Sequence, residues 1–256
     1  MSTITLYTAP TPNGFKVAVF LEELKKAYDF KYDVRPVNVA KGEQKDPWFI
    51  AINPNGRIPA IVDHHRNDFV VFETAAILVY LQQHYDTENR FGWDPKENPD
   101  EYSEMLQWIF FAHGGVGPMQ GQLNHFRNAA SEEVPYALTR YTNEVKRLYS
   151  VLDIRLGQDR DYLAGPGRGT YSIADMNVLP WLRIRAHSGL ENLDEWPNVK
   201  VRRVMLFCFV VLTRCDLLLE MVRRYAQQRC LGSCRQRRPC GRYGVDVSRL
   251  VEVRLD

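Results

Sequence analysis

The chain has 256 residues, a formal net charge of +2, and hydrophobic and charged fractions of 45% and 25%, as in a soluble globular protein of one large or two ordinary domains. The charge is unevenly shared: residues 201–256 carry +7 through twelve arginines, and residues 1–200 carry −5. All five cysteines, from Cys208 to Cys240, lie in that basic tail, which excludes a disulfide-framed fold for the first 200 residues.

The opening "MSTITLYTAP" has neither a basic nor an apolar leader region, so no signal peptide and a cytoplasmic location are expected. "TITLYTA" alternates Ile4 and Leu6 against threonines and Tyr7, and predicts a strand. The turn "TPNG" follows. "FKVAVFLEELKKAY" then places Phe15, Val19, Leu21 and Leu24 at helical spacing. "DFKYDVRPV" predicts a second strand, and "PWFIAINPNGRIPAIVD" a loop leading to a third. "DFVVFE" predicts a fourth strand and "ETAAILVYLQQHY" a helix. The order β-α-β-loop-β-β-α places a parallel pair early and a hairpin late.

Residues 87–100 are polar and proline-containing, as in a linker. No strand pattern follows. "EYSEMLQWIFFAH", "VPYALTRYTNEVKRLYSVLDIRL" and "YSIADMNVLPWLRIRAH" predict helices. Gly114, Gly115, Gly117 and Pro118 should break or kink the first of them. Ser172 and Asp175 have the spacing of a capping box, a structural device. The chain thus divides into an α/β part at 1–86, a linker at 87–100, an all-α part at 101–200 and an atypical tail at 201–256.

Three motifs could carry chemistry. A helix N-terminus at "TPNG" would gather free amides and partial positive charge. Thr11 would add a hydroxyl and Asn13 a carboxamide, suited to holding a thiolate, or the turn is an ordinary βα connection. Pro59 after Ile58, at a strand entrance, suits an edge or a cis turn. A cis bond would leave the Ile58 N–H and C=O free to pair with a peptide backbone. Glu73 and Thr74 at a helix start are either capping or a seat for an α-amino acid head group.

Taken together, these motifs and the stretches "APTPNGFKV", "KGEQKDPWFIAINPNGRIPAIVD", "VFETAAILVYL", "QWIFFAHGGVGPMQGQLNHF", "RYTNEVKRLYSVLD" and "YSIADM" resemble the glutathione transferases. They are similar to the fungal type related to the yeast nitrogen-regulator prion protein, and to the bacterial nu class, over residues 3–200. The resemblance implies a thioredoxin-like N-terminal domain followed by an all-α helical bundle. It implies glutathione as cosubstrate, no metal, and a homodimer.

It also implies roles residue by residue. Asn13 and Thr11 would contact the glutathione sulfur. Ile58, beside a cis-Pro59, would pair with the cysteinyl backbone. Glu73 and Thr74 would hold the γ-glutamyl end, with Gln44 near the glycyl end and Arg140 a further partner for a carboxylate. Thr74-Ala75 stands where relatives more often carry Ser-Gly, and the hydroxyl is kept. Tyr7 lies inside the strand, so the asparagine type of turn is expected to act in place of a tyrosine. Trp108, Phe111, Met119 and His125 would wall the site of a hydrophobic electrophile, peroxide or disulfide. Phe110 and Phe111 equally suit a bundle core. A ligand carrier or regulatory protein of the same fold is the alternative to an enzyme.

The resemblance stops after "WPNVK". The tail's cysteine spacings of x3 and x5, without histidine, do not suggest zinc. Its apolar run at 204–213 is too short to span a membrane. Its arginines come without lysine or a nucleic-acid motif, so neither a nucleic acid nor a membrane is expected as a partner. The abrupt change in residue usage suggests a retained intron or shifted frame.

Overall fold

The computed structural model describes residues 2–201. The expectations for the tail beyond them, including its zinc, nucleic-acid and gene-model readings, lie outside the described residues. Strand β1 (Ile4–Thr8) leads into helix α1 (Pro12–Tyr28), followed by β2 (Tyr32–Pro36), a short α2 (Pro47–Ile50), β3 (Ala60–Asp63), β4 (Phe69–Phe72) and α3 (Thr74–Tyr85). The helical region comprises α4 (Pro99–Phe111), α5 (Gly117–Asn128), α6 (Pro135–Leu156) and α7 (Ile173–Arg183). The sheet order is β2-β1-β3-β4, with β1 and β2 parallel and the other pairs antiparallel. This is the thioredoxin-like sheet followed by helices that the sequence predicts.

The "TPNG" turn is not a separate connection before the helix; it is the helix's first turn. Proline lacks the N–H that an α-helix leaves unpaired at its first position, so Pro12 starts α1 without cost. Thr11 is the N-cap, its Oγ accepting from the Gly14 N–H at 3.1 Å. Gly14 is required sterically. A Cβ there would stand 2.1 Å from the Ala9 carbonyl oxygen and 2.5 Å from Thr8 Oγ.

The spacing of α1 suggests one apolar stripe, but every residue from Gly14 to Leu21 is buried. Helices α3 and α7 both pack on α1, and its side chains share one core with Ile4, Leu6 and Ile61 of the sheet. Val17, Phe20, Leu21 and Leu24 lose all exposure, each contributing about 1.5–3 kcal/mol of apolar burial. A second, smaller cluster of Val37, Phe49 and Ala60 includes partly buried Tyr7 and Trp48. It gives the short helix α2 an inward anchor inside what reads as loop.

The polar 87–100 stretch is pinned at its start. Asp86, 3% exposed, accepts from the Arg90 and Phe91 amides at 2.9 and 2.8 Å and from the Tyr28 hydroxyl at 2.5 Å. Phe91 then packs edge-on against Phe20 of α1 and against Tyr171. The glycines after α4 do not break the helix. Residues Ala112–Val116 form a π-helical turn that carries the helical path directly into α5. Insertion of one residue into the hydrogen-bond ladder accommodates the glycines at less cost than a break. Phe110 is not in the bundle core: it is 59% exposed, whereas Phe111 packs partly against the core.

The capping box forms. The Ser172 amide donates to Asp175 Oδ2 at 3.1 Å, and Ser172 Oγ caps the first turn of α7. Asp175 Oδ1 also accepts from the Leu163 amide at 3.0 Å, which fastens the preceding loop to the helix. Burial pushes the Asp175 carboxyl up to about 7, against the pull of these donors.

Candidate active site

The sheet register gathers the three motifs at one end of the sheet. Tyr7 pairs with Ala60, and Ala60 pairs with Phe72. The start of α1 follows β1, Ile58-Pro59 precedes β3, and Glu73-Thr74 follows β4. All three therefore stand at the same end of the sheet, although 60 residues separate the first from the last. The Ile58–Pro59 peptide bond is cis. The β1–β3 ladder begins at Ala60, so the Ile58 backbone groups lie outside it.

Local hydrogen bonds shape the loop that delivers Ile58. The buried Asn53 donates its Nδ2 to the Arg57 carbonyl at 2.6 Å and accepts from the Asn55 amide at 3.0 Å. Asn55 in turn donates Nδ2 to Glu73 Oε1 at 3.3 Å, which joins the second motif to the third. Gln44 sits in a 3-10 turn at Glu43–Lys45, and its Oε1 is a buried acceptor with no partner in the structure.

Glu73 has φ 71° and ψ 121°, a backbone conformation that side chains beyond Cβ rarely adopt. Such an outlier costs about 1–3 kcal/mol and persists where the surroundings impose it. It turns the side chain away from capping α3 and toward His113. His113 Nε2 lies 3.3 Å from Glu73 Oε2, and His113 Nδ1 lies 3.3 Å from Thr74 Oγ. Burial, with the charge on Lys16, holds the His113 imidazole below its ordinary range. The neutral ring must then donate Nε2–H to the carboxylate, which can only accept, and receive the Thr74 hydroxyl proton at Nδ1.

Lys16 is one turn beyond Asn13 on α1 and 1% exposed. Burial pushes its ammonium down to about 7, with the Glu73 carboxylate pulling in the opposite sense. The unfolded chain holds that proton up to about 10.5, so stability rises with pH between about 7 and 10.5. Lys16→Met should remove this dependence. Denaturant titrations should show the variant's advantage largest at pH 7 and shrinking toward pH 9.5, by at most about 1.4 kcal/mol per unit. A gap that is flat across that range would remove Lys16 as the buried charge.

Asn13 is half-buried at the second position of α1. Its Oδ1 accepts from the indole N–H of Trp181, on α7, at 3.3 Å. The carboxamide NH2 is the end left to face a ligand. Thr11, although its oxygen caps the helix, keeps its own hydroxyl proton to donate. Tyr7 is held inside β1, with Arg35 5.6 Å over its ring and Trp48 and Phe49 at its edges.

The residues read as an electrophile wall are more dispersed. Trp108 and Phe111 meet edge to face at 5.6 Å on α4, and Arg155 lies 5.5 Å over Trp108. Met119 packs against the core from α5. His125 is exposed, edge-on to Phe126. Arg140 is exposed on α6, with Glu144 as its charged neighbour. Among the described residues, no hydrogen bond or ring contact joins these five to Asn13 or Glu73, and no group of three or more His, Cys, Asp or Glu gathers as for a metal ion.

The structure adds to the site two residues that the sequence reading leaves out, Lys16 and Trp181, and a third, His113, that it takes only as a polar pocket or surface residue. Lys16 carries a signal, a lone cation inside the run "GFKVAVF". The pairings of His113 and Trp181 carry none, because 39 and 168 residues separate them from their partners.

A helix N-terminus with two polar side chains, backbone groups outside the ladder and an acidic helix start thus meet at one end of a thioredoxin-like sheet. Residues 2–83 match the family model described as the N-terminal domain of glutathione S-transferase. Glutathione S-transferase 1 of Schizosaccharomyces pombe is 42% identical over 182 residues, covering 71% of this chain and 75% of that protein. The disulfide-bond oxidoreductase YfcG of Escherichia coli is 41% identical over 201 residues, covering 77% and 86%. The crystal structure of the glutathione transferase URE2P8 from Phanerochaete chrysosporium with oxidised glutathione superposes with a TM-score of 0.74 at 33% identity, covering 92% and 99%. The chain belongs to the glutathione transferase family.

Proposed function

We propose that the chain is a glutathione-dependent enzyme that stabilises the thiolate of bound glutathione and delivers it to an electrophile, a peroxide or a disulfide. What supports this reading is the shared end of the sheet, where the polar first turn of α1, backbone groups outside the ladder and an acidic helix start meet. Asn13 and Thr11 would donate to the sulfur. Ile58 would pair with the cysteinyl backbone. Glu73 would take the ammonium, and the first amides of α3 the γ-glutamyl carboxylate, joined by the Thr74 hydroxyl once it turns from His113. The unpaired Gln44 Oε1 offers an acceptor for an amide near the glycyl end. Arg140 would meet a carboxylate, and Trp108, Phe111, Met119 and His125 the second substrate.

The first 200 residues contain no cysteine, so the nucleophile must come with the ligand. In disulfide exchange, the glutathione thiolate would attack one sulfur and expel the other as a thiolate. A second glutathione would then release the first as oxidised glutathione. That the relative YfcG is a disulfide-bond oxidoreductase and URE2P8 was crystallised with oxidised glutathione supports this branch. The exposed Phe69 and Phe110 offer apolar area that a second copy would cover in a homodimer.

The test is an assay of the purified full chain with glutathione and, in turn, a peroxide, a disulfide and an aryl halide. Turnover of any of the three supports the reading. Glutathione binding without turnover supports a carrier or regulator instead, and absence of binding overturns both.

A further inference from the structure

We infer that Trp181 is a positioning residue for the thiol-binding turn: its indole N–H fixes which end of the Asn13 carboxamide faces the ligand. The inference rests on the reading of Asn13 as the sulfur's donor. A carboxamide has an accepting end and a donating end of nearly equal size, and rotation by half a turn exchanges them. Only the NH2 end can stabilise a thiolate. The oxygen end would repel it. An indole nitrogen can donate but not accept. Its contact at 3.3 Å with Asn13 Oδ1 therefore favours one orientation, with the NH2 turned away from the indole.

Trp181 is itself held from two other helices. Its carbonyl accepts from Gln120 Nε2 of α5 at 2.9 Å, and Gln120 Oε1 accepts from the hydroxyl of Tyr149 on α6 at 3.0 Å. Gln120 and Tyr149 are fully buried, and Trp181 is 8% exposed. The indole lies against the glycine face of α5. A Cβ at Gly117 would stand 3.1 Å from Trp181 Nε1, and one at Gly121 would stand 3.5 Å from the far edge of the ring. The glycine-rich "GGVGPMQGQ" thus has a use beyond the π turn, since it leaves room for the ring that orients Asn13. Helices α5, α6 and α7 act on the thiol through one side chain that need not touch glutathione.

The test replaces Trp181 with phenylalanine and, separately, with 3-benzothienylalanine, which keeps the bicyclic ring and substitutes sulfur for the N–H. The second variant guards against a folding defect in the first. The readouts are the thiol pKa of bound glutathione, followed by ultraviolet thiolate absorbance against pH, and the dissociation constant of S-methylglutathione. Both substitutions should raise the bound thiol's pKa and lower kcat about fivefold, as for one lost neutral hydrogen bond, with S-methylglutathione binding unchanged. Added to Asn13→Ala, either should have no further effect. If Asn13→Ala raises the thiol pKa and both Trp181 variants leave it unchanged, or if the effects add, the inference is overturned and the reading of Asn13 stands. If Asn13→Ala itself leaves the thiol pKa unchanged, that reading falls and takes the inference with it.

Discussion

Asn13→Ala should lower glutathione-dependent turnover by about a hundredfold while leaving glutathione affinity within about threefold. The carboxamide NH2 acts on charge that exists only once the thiol has ionised, so its loss falls on kcat more than on binding. Residual activity should remain, because in the proposed reading Thr11 and the amides of the first turn would still face the sulfur. Alanine is well tolerated at this helical position, and the freed Trp181 N–H costs about 1 kcal/mol of stability, too little to unfold the chain. The pH–rate profile separates mechanism from damage. Its rising limb should move to higher pH, because less of the bound thiol is ionised at neutrality. Unchanged turnover would remove Asn13 from the chemistry.

The largest effect on stability should come from Asp175→Ala, roughly 3–5 kcal/mol in mildly acid solution. The substitution leaves the buried amides of Leu163 and Ser172 without acceptors and removes the reciprocal half of the cap on α7. It also loosens the loop that α7 anchors. Burial works in the other direction as pH rises. The folded protein keeps the Asp175 proton up to about 7, whereas the unfolded chain releases it near 3.8. The aspartate's contribution is thus fully present below 3.8 and is lost as pH rises through about 7. Denaturation midpoints measured from pH 5 to pH 8 should show the gap between wild type and variant narrowing. A gap that widens with pH would mean that the hydrogen bonds hold the carboxylate ionised.

The sheet, the helix order and the capping box were legible because each is written within a few residues. Alternation at Ile4 and Leu6, the four-residue Ser172–Asp175 spacing and the proline at 59 are local signals. The three motifs could be placed together only through the order of elements and the family likeness. The register from Tyr7 through Ala60 to Phe72 supplies the physical reason. What the sequence hid is what arises between distant segments. α1 reads as amphipathic because periodicity cannot reveal that α7, far along the chain, will pack on it as well as α3. The glycines after α4 read as a break or a kink because composition does not distinguish an interruption from a π turn. His113 and Trp181 are ordinary pocket and core residues until contacts across 39 and 168 positions give them work.

The double covering of α1 has a consequence for how the protein is made. A ribosome delivers Asn13 early and Trp181 near the end of the described chain, 168 residues later. At ~5–20 residues per second, that interval lasts roughly ten to thirty seconds. Throughout it, the α7-facing side of α1 lies bare on the nascent chain, which invites chaperone binding. The turn is translated first, but the indole that contacts it arrives last, so the Asn13–Trp181 contact forms only as synthesis nears the end of the helical region.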